Sequence, residues 1–392
     1  MDGLQEQANN RRTGLTILPG WLSDNPLPGI WQLTLLKRRR TRPIFQFYSA
    51  AVLFFQVLAL LCVPAYLIDL RGSAYFLTEL VIAGTLLSFF WLLFEFASCL
   101  NFAGNLMRSE TSSTFPIIDE ALAASSLPDR DFILAMLQVS LPRLLLPSAL
   151  LCLAVVMLFH SDFIMDADQT WGSGFALWLA LATLSLSSMT GILLLHFGLG
   201  MQQEKRFAAS TGTAMAGFTQ LLTTAAWFIT FDEEWMVDYQ SYWRRQYFNP
   251  HLLDIQIYYC NSQLGLLLIL FLAVLLLLHL ASHSAWLRRL MLLGWPALCG
   301  ILLTTFLLSL QYIDPENFSY LTGLRFISRA SQPLSFVNLD VVYMHFVGNN
   351  TAVQSIHVGR LQALSLVLQF AYLAAFLQFA RRMLSIHRRG TA

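Results

Sequence analysis

His279 and His283, in the run HLASH, stand four residues apart and so share one helical face, a spacing that can hold a metal ion. No glutamate lies between them as in HExxH, and they close an apolar run, so a pair of interfacial histidines is the plainer reading. A phosphate-binding loop needs a glycine-rich turn closed by Gly-Lys-Ser/Thr, and the only lysines are Lys37 in LLKRR and Lys205 in QEKRF. There is no GxSxG. Cys62, Cys99, Cys152 and Cys299 lie inside apolar runs and Cys260 at the edge of one, with no CxxC pair, so neither a disulfide framework nor a zinc site is expected. These residues point away from an enzyme and away from any cofactor held by this chain.

What remains is the chemistry of association. In residues 107–143, MRSETSSTFPIIDEALAASSLPDRDFILAMLQVSLPR, Thr114 can cap a short helix with Pro116 near its start and Asp119 and Glu120 in its first turn. Phe115, Ile118 and Leu122 then share an apolar edge, and Glu110, Asp119, Asp129 and Arg130 rim it. SSLPDRDF restarts a helix with Asp129 and Asp131 near its N-terminus, where the backbone dipole favours anions, and that helix runs on past Pro142. Two short helices flanking a turn make a docking surface; the competing reading is an amphipathic linker. Further upstream, DNPLPGIWQLTLLKRRRTRP (24–43) places Pro26 and Pro28 at a turn and a first helical turn. Leu27, Ile30, Trp31, Leu33 and Leu36 follow as a mostly apolar face, and Lys37, Arg38, Arg39, Arg40 and Arg42 as a basic end. Such a helix lies in the headgroup layer, with Trp31 buried and the arginines beside anionic lipid, or simply anchors the first span.

The elements that must position these residues are membrane helices. The chain is 56% hydrophobic and only 12% charged over 392 residues, too few charges for a soluble protein. Continuous apolar runs, rather than alternating ones, predict an all-α polytopic bundle. About eight spans are expected, at 45–69, 75–105, 142–160, 174–200, 214–231, 263–285, 290–312 and 358–383. With the N-terminus inside, 18 of the 24 Lys and Arg fall on the cytoplasmic side, which puts both termini in the cytoplasm. The organisation is then an N-terminal segment (1–44), spans one to five with the 108–131 loop (45–231), and an outer loop, spans six to eight and a basic tail (232–392). Arg143 is assigned to the inner edge of the third span. Charge within the spans is nearly absent, which argues against a proton-driven pump. The aromatic-rich stretch 231–260 reads as an outer surface or re-entrant element. Alternation in LSFVNLDVVYMHF, within 313–357, predicts a small strand or hairpin.

Two stretches carry a resemblance. SETSSTFPIIDEALAASSLPDRDFIL has Glu110, Thr114, Phe115, Ser126, Leu127, Asp129, Asp131 and Ile133 placed as in the membrane subunits of type-2 ATP-binding-cassette transporters. In that family an Asn-Pro and a basic amphipathic helix also precede the first span. GILLLHFGLGMQQEKRFAASTGTAMAGFTQLL is similar to the family's fourth span, short basic loop and Thr/Ala-rich fifth span. The resemblance covers residues 24–230. Two spans beyond the usual six follow, and the charged loop after span two is reduced here to RSETSST.

The resemblance implies a permease subunit of an exporter, working as a homo- or heterodimer in a bacterial cytoplasmic membrane. A separate ATPase subunit would bind the ATP and push on the 108–131 loop. Partners are then membrane lipid and that ATPase, with no nucleic acid. The scarcity of buried charge points to an apolar or amphipathic substrate. A non-transporting membrane scaffold is the alternative. A third reading comes from AYLAAFLQF (371–379), which resembles the Tyr-(five apolar)-Gln-Phe signature of insect gustatory receptors. Those have seven spans and an external C-terminus, whereas the basic tail here favours an internal one.

Overall fold

The computed structural model describes residues 27–28, 73–106, 127–163, 171–201, 203, 205–230, 250–309, 330–338, 341–342 and 354–391. Among these, seven long helices follow one another: α1 (Ser73–Asn105), α2 (Asp129–Phe163), α3 (Trp171–Gly200), α4 (Lys205–Thr230), α5 (Pro250–His283), α6 (Ala285–Ser309) and α7 (Gln354–Thr391). No strand occurs among the described residues. Six of the helices, all but α4, are long and apolar enough to cross a membrane. The chain is an all-helical, multi-pass membrane protein on that ground. The predicted span 45–69 lies outside the described residues.

α4 has the length to span, 26 residues or about 39 Å at 1.5 Å per residue, but a more polar composition than the other six. Its polar side chains face inward. Thr211, Thr219, Gln220 and Thr223 are buried, whereas Phe218 and Leu221 are exposed on the other side. α4 therefore turns its polar face to the protein and its apolar face outward, the opposite of a soluble amphipathic helix.

α3 is the central helix, with 61% of its most apolar window buried, against 17% for α5 and 22% for α6. It packs on α7, α2 and α1; α1 also packs on α2 and α4, α6 on α4, and α5 on α7. Small residues permit the α3–α7 approach. A Cβ added at Gly198 would sit 2.7 Å from the Phe379 ring, and one at Gly191 would sit 3.4 Å from Phe376. Close backbone approach of this kind is how helices associate where lipid removes the hydrophobic drive between them. Exposed Ile82, Leu86, Phe90 and Phe94 form a stripe along α1, and most of α5 and α6 is apolar and outward-facing. Leu27, from the N-terminal stretch, is fully buried in the main core.

α2 starts at Asp129, where the sequence restarts a helix, and continues through Pro142 and Pro147, so the predicted span 142–160 is the latter part of one longer helix. Proline is tolerated inside membrane helices because neighbouring groups take up the freed backbone carbonyls. α5 starts at Pro250, behind Asn249, so the second half of the predicted outer loop is helical.

Candidate functional site

Residues 330–338, rich in small polar side chains, read ASQPLSFVN, and Ala330 and Ser331 are still helical. Pro333 disfavours α-helical geometry at Gln332, and Ser335 Oγ bonds the Gln332 and Val337 carbonyls. The chain accordingly makes one 3-10 turn, Gln332–Leu334, and leaves it extended at Ser335 (φ −82°, ψ 155°). Every side chain from Gln332 to Asn338 is buried. Phe336 lies edge-on to Phe89 and Phe96 of α1, with ring centroids 5.8 and 5.5 Å away. These two phenylalanines bracket the middle of the α1 span Val81–Gly104, so irregular backbone sits deep in the bundle. The segment also packs against α3, α4 and α7.

Backbone that leaves a helix inside a membrane bundle must find its hydrogen bonds in protein. Gln220 and the segment's own Ser335 Oγ, which donates to the Gln332 and Val337 carbonyls, supply them, and Gln369 anchors the segment through the Asn338 side chain. Gln220 of α4 donates from Nε2 to the Leu334 carbonyl (2.7 Å) and accepts at Oε1 from the Phe336 N–H (2.9 Å). Gln369 of α7 donates from Nε2 to the Leu184 carbonyl (2.7 Å) and to Ser188 Oγ (2.9 Å). Because a carbonyl only accepts, the Gln369 amide is fixed with Oε1 toward Asn338, whose Nδ2 donates to it at 3.0 Å. Asn338 Oδ1 and Ser365 Oγ are buried and have no partner among the described residues.

A second polar feature lies between α1 and α2. Arg143 donates from Nη2 to Glu95 Oε2 at 2.5 Å and to Ser98 Oγ at 3.3 Å. The Glu95 side chain is 1% exposed and that of Arg143 17%. Both residues fall inside candidate spans, Arg143 near the middle of Asp129–Met157. The spans, expected to be nearly free of charge, hold this buried ion pair, and Arg143 lies well inside the helix rather than at its start. A buried charge is tolerated there only with its counterpart in contact.

The third feature is one end of the bundle. Arg388, near the end of α7, donates from Nη1 to the Leu127 carbonyl (2.7 Å) and to Asp129 Oδ1 (2.6 Å), and its guanidinium stacks over the Phe132 ring at 5.0 Å. Arg289 donates to Gln203 Oε1 (2.7 Å), and Arg288, buried, donates to the Ala281 carbonyl (2.8 Å). Arg382 bridges His279 Nδ1 (3.4 Å) and His283 Nε2 (2.8 Å). A guanidinium thus occupies the nitrogens that a metal would use.

Of the residues singled out in the sequence, Asp129 starts α2 and is held by Arg388, while Arg130 is exposed and reaches Asp131 at 3.4 Å. Glu110, Thr114, Phe115, Ile118, Asp119 and Leu122 lie outside the described residues, as do Trp31, Lys37, Arg38, Arg39, Arg40 and Arg42. The predicted strand or hairpin is corrected where it is described, since 334–338 continue a 3-10 turn without strand pairing. Glu95, Gln220 and Gln369 were not anticipated. For Glu95 and Gln369 the signal in the sequence is a lone polar residue inside a long apolar run, as in FWLLFEFASCL and LSLVLQFAYLAAF, whereas Gln220 stands among threonines in GFTQLLTT. No family model, curated protein or solved structure matches the chain.

Proposed function

We propose that this chain is the permease subunit of a membrane transporter, energised by a separate ATPase subunit that engages the 108–131 loop. The observation that carries the transport reading is the segment 332–338, which leaves α-helical geometry through one 3-10 turn and is held inside the bundle by Gln220 and Gln369. Irregular backbone at this depth is costly to satisfy, and discontinuous elements are where transporters build substrate paths. A scaffold needs only a surface and has no use for it.

The ATPase reading rests on the resemblance of 24–230 and gains support from Arg388. That side chain ties Leu127 and Asp129, where the proposed coupling loop ends, to the last helix. A push on the loop would reach α2 and α7 together, and α7 holds the interior segment through Gln369. In this reading the Arg-rich end of the bundle faces the cytoplasm, as the bias of basic residues favours. Phe115, Ile118 and Leu122 fill a groove on the ATPase, Glu110, Asp119, Asp129 and Arg130 rim it, and Thr114 caps the helix that carries the apolar edge.

The test is co-purification from the native host in mild detergent. Wild type should bring down an ATPase carrying nucleotide-binding motifs and no spans. Phe115→Ala should lose it, by about 2 kcal/mol or more if the phenylalanine is the buried anchor. Failure to recover any ATPase, or full retention by Phe115→Ala, moves the scaffold reading ahead.

A further inference from the structure

The two histidines of HLASH and the arginine that bridges them have no part in the transport reading. Arg382 donates to Nδ1 of His279 and to Nε2 of His283. A guanidinium has only donors, so both nitrogens must be bare acceptors and both rings neutral, in opposite tautomers. The rings stand edge to face with centroids 5.3 Å apart. Histidine is the side chain whose ordinary titration falls between pH 5 and 8.

The sequence around this cluster is basic: Arg381 adjoins Arg382 on α7, and Arg288 and Arg289 stand five and six residues beyond His283 near the start of α6. The described carboxylates at this end of the bundle are Asp129, bound to Arg388, and Asp131, beside Arg130. Protonating either imidazole removes an acceptor from Arg382 and sets a cation against it. Protonating both places three cations around one contact.

The contact joins two parts of unequal burial. α5 and α6 are the least buried of the candidate spans, and the contacts of α5 with α7 include this one and the Phe271–Tyr372 ring pair, 5.0 Å between centroids. We infer that His279, His283 and Arg382 form an acid-released latch: closed when the imidazoles are neutral, and opened as they gain protons, freeing the charged end of the α5–α6 hairpin from α7. The sign follows from the acceptor requirement, since the latched state excludes protons from the two nitrogens and is favoured as pH rises. The inference is independent of any ATPase or substrate.

The experiment uses the full chain in nanodiscs, with native cysteines replaced and spin labels at Leu280 of α5 and Ile386 of α7, both exposed. Electron–electron distances are measured at pH 8 and pH 5. The wild-type distribution should be short at pH 8 and gain a longer population at pH 5. In His279→Asn with His283→Gln, whose amides can accept at Nδ1-like and Nε2-like positions without titrating, the short distance should persist at both values. His283→Gln alone, at the shorter contact, should keep part of the acid response and serves if the double variant does not fold. A wild-type distance that ignores pH, or an undiminished acid response in the non-titrating variants, overturns the latch.

Discussion

At Glu95 the cost of a carboxylate inside the bundle is met by one guanidinium, Arg143, 48 residues later in the chain. The pair is asymmetric in what its loss would do. Glu95→Ala leaves Arg143 buried without its counter-charge, and Arg143 Nε and Nη1 already lack partners among the described residues. Unfolding in detergent should show a loss of about 3–5 kcal/mol for Glu95→Ala, with most of it regained in Glu95→Met combined with Arg143→Met. A double variant as unstable as the single one would mean that the pair does more than neutralise itself. At this scale the sequence was half legible. Glu95 and Gln369 are visible as polar residues in apolar runs, and Gln220 is masked by the threonines around it. Their partners are not visible, because the contacts join residues as far apart as Gln220 and Phe336, 116 positions, and no local pattern encodes such pairings.

The helices were the most legible elements, since a run of about 20 apolar residues in lipid has few alternatives to a helix. Predicted 174–200 became Trp171–Gly200, and predicted 75–105 became Ser73–Asn105. The strand expected in LSFVNLDVVYMHF does not form over its described part, 334–338, for a definite reason. Alternation signals a strand with one wet face, but here Leu334 through Asn338 are all buried, and Ser335 Oγ bonds the Gln332 and Val337 carbonyls instead of facing water. Two predictions belong to helix pairing. Gly198→Ala drives a methyl into the Phe379 ring, so it should cost about 1–3 kcal/mol of stability, and adding Phe379→Leu should return much of it. Arg388→Ala removes the clamp between α7 and the start of α2. It should lower stability by about 2 kcal/mol, whereas the exposed neighbour Arg389→Ala should change it by less than about 0.5 kcal/mol. Thermal unfolding of the purified variants would show equal effects if the clamp contributes nothing.

On the scale of the whole molecule, two gatherings of polar groups stand beside the Glu95–Arg143 pair. One is the Arg-rich end where α2, α5, α6 and α7 meet; the other is the interior segment 330–338. The first could be anticipated from the distribution of Lys and Arg. The second could not, because it needs α1, α3, α4 and α7 assembled around it before its burial has meaning. It is also the account's central claim. The direct measurement is thiol labelling of Ser335→Cys in a background free of native cysteines, in membranes, with a small water-soluble reagent. Ser335 is 3% exposed, so the folded protein should react far more slowly than a denatured control. Adding Gln220→Ala, which leaves the Leu334 carbonyl and the Phe336 N–H without their side-chain partner, should speed the reaction. Labelling of Ser335→Cys as fast in the folded protein as in the denatured one, with Gln220→Ala making no difference, would contradict a segment held inside the bundle.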